Sequence, residues 1–166
     1  MFTVLLALAL QQSNATIIDR IMAVVGTDPI VLSDVTAAKE FHLVEAPAGT
    51  ADPTAYVLDQ LIRRALMLDE VDRFQPPVPD ESEITAKVDA LERRAGSPAA
   101  FQSALEVTGM TRDQLRRYIR DDLRIRTYLL QRFGADRPAP EFAAAVDSWV
   151  ADLRRRTQIS VLYQGT

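Results

Sequence analysis

The chain has 166 residues, 48% of them apolar and 25% charged, with a formal net charge of −4. That balance belongs to a packed globular protein, and the negative charge gives no general attraction to nucleic acid or anionic lipid. The absence of cysteine excludes thiol catalysis, disulfides and thiolate metal sites, and His42 is the single histidine, with no H-E-x-x-H spacing around it.

Phe2 to Leu10 is a nine-residue, largely apolar run containing Thr3, followed by polar Gln11 to Asn14 and then Ala15. The run is too short for a bilayer, which needs about 20 residues. With small residues at Ser13 and Ala15 it reads as a secretory signal over residues 1–15, cleaved after Ala15, although only the terminal amine supplies its positive charge. The alternative is an N-terminal strand or helix docked on the domain.

Residues 17–25 are rich in β-branched side chains. With the turn chemistry of Gly26-Thr27-Asp28-Pro29 and the apolar Ile30-Val31-Leu32, they predict a β-hairpin. Ser33 and Asp34 offer N-caps for a helix to about Ala46, which would carry His42. Asp52-Pro53 pairs a capping side chain with proline at the first helical position. The apolar spacing from Val57 to Leu68 then predicts a helix ending near Phe74, before Pro76, Pro77 and Pro79.

Asp80 with Glu83 suggests a capping box for a helix that Gly96 ends, and Ser97-Pro98 starts a short one closed by Gly109. Thr111 with Gln114 opens a long helix to Gly134. A link through Pro140, a helix carrying Phe142, Val146, Trp149, Val150 and Leu153, and a strand at Ile159–Tyr163 complete the order. The fold class is mostly α with a small β-sheet: a hairpin, about six helices and a C-terminal strand. A lone hairpin is only marginally stable, so the terminal strand is expected to join it, bringing the chain's two ends together.

The segments Ile18-Asp19-Arg20-Ile21-Met22-Ala23-Val24-Val25-Gly26 and Pro29-Ile30-Val31-Leu32-Ser33-Asp34-Val35 resemble the opening hairpin of the SurA-like periplasmic chaperones. The resemblance continues through Leu58–Ile62, Pro79-Asp80-Glu81 and Gly109-Met110-Thr111 to about residue 134. It returns in Trp149–Arg154, which is similar to that family's C-terminal "W-x-x-x-L-R" helix and strand. It implies one core domain over 16–166, made of an N-terminal segment 16–134, a linker 135–140 and a C-terminal helix and strand 141–166. The family's parvulin-type prolyl isomerase domains usually lie between the long helix and the C-terminal helix. Here only Ala135 to Pro140 separates them, so no isomerase activity is expected.

The expectation is therefore a non-enzyme without cofactor or metal, exported to the periplasm and without a stable membrane anchor. It would act as an ATP-independent holdase for unfolded outer-membrane or secreted polypeptides, there being no phosphate-binding loop. A non-catalytic scaffold or accessory subunit for one folded envelope partner is the alternative. The short helices around Gly96 and Gly109 also admit a helix-turn-helix reader of nucleic acid, against which the acidity and the export signal stand. Clients would meet adaptable aromatic and Met side chains, for which Met67, Phe74, Phe101, Met110, Tyr118, Tyr128 and Phe133 are candidates, most of such residues serving as core. His42 is read as structural. The acidic groups Asp69-Glu70-Asp72 and Asp121-Asp122 are read as solvated faces, because adjacent helical residues do not converge. Arg112, Arg116, Arg117, Arg120 and Arg124 give the long helix a basic face, balanced by Asp113, Asp121 and Asp122 or docked on phosphates.

Overall fold

A computed structural model describes residues 19–165. The expected signal segment, with Ile17 and Ile18, lies outside the described residues. Strands β1 (Ile21–Val25) and β2 (Asp28–Val31) precede α1 (Leu32–Glu40), α2 (Pro53–Phe74), α3 (Glu81–Arg94), α4 (Pro98–Thr108), α5 (Arg112–Phe133) and α6 (Ala139–Arg156). Strand β3 (Ile159–Val161) follows. The sheet is antiparallel in the order β2-β1-β3, so the C-terminal strand does pair with the N-terminal hairpin.

Details of the sheet depart from the expectation. The turn is only Gly26-Thr27, because Gly26 takes a positive φ of 61° and lets Asp28 and Pro29 enter β2. Strand β3 is shorter than predicted. A bulge interrupts the β1–β2 register between Ile21 and Ala23. On the opposite edge of β1 the Met22 carbonyl accepts from both Leu162 and Tyr163 N–H, where the chain leaves β3.

Helix α1 is capped differently from the expectation. Ser33 lies inside the first turn, and its N–H and hydroxyl both donate to Asp19. Asp34 reaches back to accept the Val31 N–H at 2.9 Å. Two carboxylates thus face the positive end of the helix dipole. The helix ends at Glu40, short of the expected Ala46. His42 therefore follows it, at φ 50°, in the left-handed position usually held by glycine. Leu43 N–H then donates to Ala38 O at 2.9 Å and His42 N–H to Lys39 O at 3.1 Å, which folds Leu43 and Val44 back onto the domain.

Of the other five helix starts among the described residues, three follow their sequence signals and two do not. Asp52 accepts from Ala55 N–H, Ser97 from Ala100 N–H, and Thr111 and Gln114 form a reciprocal box. Asp80 occupies the cap position of α3, but its side chain makes no capping bond, so that expected box is absent. Helix α6 begins at Ala139, inside the expected 135–140 link, because Pro140 fits the first turn of a helix.

Two buried clusters hold the fold. One places Met22, Leu58, Leu66, Tyr128, Trp149 and Leu153 between the sheet, α2, α6 and the second half of α5. The other places Phe41, Ile84, Val88, Phe101, Leu115 and Leu123 among α1, α3, α4 and the first half of α5. Each large apolar side chain so enclosed contributes about 1.5–3 kcal/mol. Helix α5 belongs to both clusters, and Tyr118 packs against each.

His42→Gly removes the cost of a Cβ in left-handed backbone and should raise stability by up to about 1 kcal/mol, whereas His42→Val should lower it by about 1–2 kcal/mol. Urea denaturation of the two variants checks both signs.

Candidate functional site

Helix α5 runs between the two clusters, and on one side of it a cleft of about 390 Å3 opens to solvent. Met67 from α2, Leu129 and Leu130 from α5, and Phe142 from α6 give it an apolar lining, and the α1 turn adds Leu43 and Val44. Arg63, Arg64, Arg126 and Asp122 supply its charged groups, and Gln60 adds an amide. A smaller recess of about 160 Å3 shares Leu43, Arg64 and Tyr118 and is lined also by Asp34 and Met110.

Arg64 organises the region. Its guanidinium lies 3.8 Å from the Tyr118 ring centroid. Its Nε donates to Asp122 Oδ1 at 2.7 Å and its Nη2 to the Tyr118 carbonyl at 3.1 Å. Stacking of this kind contributes about 0.5–2 kcal/mol, and the planar fork also fixes the Arg64 rotamer. Burial pushes the Asp122 carboxyl up against the opposing pull of Arg64, and Asp121 adds to the rise. Asp34 is also raised, chiefly by burial, with the Val31 N–H lowering it and Asp19 raising it further. The Tyr118 hydroxyl is pushed up by burial and by Asp122, so it remains protonated.

The sequence-predicted contact residues divide into three groups. Met67 and Tyr118 share the cleft, and Met110 joins Tyr118 in the recess. Phe101 is 2% exposed, edge-on to Phe41 at 5.7 Å, and Tyr128 is 6% exposed between Phe74 and Trp149. Both belong to the core, because helix packing encloses them. Phe74 is exposed at the end of α2, and Phe133 is half-buried against Phe142 and Trp149. Periodicity missed Leu43 and Val44, which lie beyond the end of a helix. It also missed Arg64 and Asp122, whose pairing spans two helices.

The basic and acidic faces also differ from the sequence expectation. Arg116 and Arg120 pair with Glu81 at 2.6 and 2.8 Å, Arg112 with Glu92 at 2.5 Å, and Arg124 with Asp72 at 2.7 Å. The balancing charges therefore come mainly from α2 and α3, with Asp121 the one intrahelical partner, at 3.3 Å from Arg124. The two arginines hold the Glu81 carboxyl below its usual range. Glu70 is buried rather than solvated, and it receives Arg73 at 3.2 Å and Arg156 at 3.0 Å. Among the described residues no three acidic or histidine side chains converge to hold a metal ion, and no helix is long and apolar enough to cross a membrane.

Because the Asp34 carboxyl is raised on folding, its ionised form destabilises the fold at neutral pH. That penalty fades as pH falls through the folded value. Asp34→Asn keeps an oxygen for the Val31 N–H. It should be more stable than the wild type at about pH 7, and the advantage should shrink by about pH 3. Urea denaturation at both pH values checks this, and an advantage that grew in acid would contradict it.

No family model matches the chain. Over 115 residues it is 30% identical to the Chaperone SurA proteins of Bordetella pertussis (strain Tohama I) and Bordetella bronchiseptica (strain RB50), a stretch covering 65% of this chain. The match takes in 22% of the length of each of these relatives. The similarity supports a distant SurA-like relationship.

Proposed function

We propose that the protein is an ATP-independent chaperone, without isomerase activity, that holds unfolded outer-membrane or secreted polypeptides in the envelope. The observation that carries this reading is the solvent-open cleft beside α5. There Met67, Leu130 and Phe142 present apolar surface next to a fixed Arg64–Asp122 pair. Flexible Met and Leu side chains adapt to varied apolar groups, and an open cleft allows weak, reversible capture. No covalent chemistry is needed for this activity. The distant likeness to proteins named Chaperone SurA agrees with it.

The alternative role, a non-catalytic scaffold or accessory subunit for one folded envelope partner, differs in its selectivity. A holdase binds many denatured chains, whereas an accessory protein ignores them.

The test is aggregation of a denatured outer-membrane protein, diluted from urea without ATP. The protein should suppress light scattering at stoichiometric ratios, and Met67→Glu, which puts a charge on the apolar lining, should lose most of that effect while keeping the wild-type circular dichroism. Unchanged scattering with the wild-type protein contradicts the proposal.

A further inference from the structure

We propose that the cleft beside α5 prefers unfolded segments in which an acidic side chain flanks an apolar one, with Arg126 receiving the carboxylate. This rests on the chaperone reading above and names the class of segment that the same cleft takes.

The lining carries three arginines and one carboxylate, on a chain whose net charge is −4. Two of the arginines are already matched. Arg64 is held by Asp122 at 2.7 Å, and Arg63 pairs with Asp147 at 2.6 Å. Arg126 is exposed and has no hydrogen-bond or ion-pair partner among the described residues. One positive charge is thus left over at the mouth of a cleft in an otherwise acidic protein.

Its placement matters as much as its sign. Arg126 and Leu130 are four residues apart on α5, so they occupy the same face of the helix. Leu130 is 36% exposed, which leaves apolar surface open beside the guanidinium. Met67 and Phe142 extend that surface across α2 and α6. An occupant that matches both features carries an apolar side chain over Leu130 and a carboxylate within reach of Arg126. A basic neighbour would instead meet an uncompensated like charge, so the cleft discriminates by repulsion as well as attraction.

The test uses fluorescent peptides with acetylated and amidated ends that share an apolar residue and differ only in the next residue, Glu, Gln or Lys. Anisotropy at low salt should rank them Glu, Gln, Lys, with the Glu peptide about two- to fivefold tighter than the Gln peptide, the range of one exposed ion pair. Arg126→Gln should remove the advantage and Arg126→Glu should reverse the order; the residue's exposure makes both variants compatible with folding. Equal binding of the Glu and Gln peptides to the wild-type protein overturns the acidic preference and leaves the chaperone reading standing. A gain that appears only when the peptide's terminal carboxylate is free also overturns it. Failure of all three peptides to bind removes both.

Discussion

Arg64 lies between the two buried clusters, stacked on Tyr118, bonded to Asp122 and donating to the Tyr118 carbonyl. Its helix, α2, packs with the sheet and α6, whereas Tyr118 reaches both clusters from α5. Its side chain is 18% exposed, so removing its carboxylate partners would leave a costly, poorly solvated charge. The contact ties α2 to α5, the two helices whose side chains supply most of the cleft's lining. Neighbouring pairs support the same arrangement: Arg124 joins Asp72 across these helices, and Glu70 joins α2 to α6 through Arg156.

Sequence signals located most elements because each rests on short-range chemistry. Asp52-Pro53, Ser97-Pro98 and Thr111 with Gln114 mark helix starts where their side chains do cap the backbone. Gly109 and Gly134 mark ends where positive φ is needed. The sheet's third strand was foreseeable from the instability of a lone hairpin. What escaped the sequence was nonlocal or atypical. Histidine carries no strong signal for the left-handed position that ends α1, and the capping of Ser33 by Asp19 spans 14 residues.

The candidate site was less legible than the fold. Met67, Met110 and Tyr118 reach the cleft or its recess, but Phe101 and Tyr128 are enclosed. Residue type alone cannot separate an aromatic side chain facing a cleft from one facing a core, since both occupy the apolar stripe of a helix. The basic face of α5 was visible as a periodicity, but its acidic partners lie on α2 and α3 and depend on how the helices pack. The unmatched charge of Arg126 likewise depends on tertiary pairing, since Asp147 and Asp122 take up the other two arginines of the cleft.

In the proposed activity, unfolded chains dock in the cleft beside α5 rather than on scattered apolar residues elsewhere. Site-specific photo-crosslinking tests it most directly, with the probe placed at Leu130 in the cleft or at Val107, which is 71% exposed on α4 and is not among the cleft's lining residues. Docking in the cleft gives strong adducts with a denatured outer-membrane protein from position 130 and few from position 107. Equal yields from the two positions would contradict it.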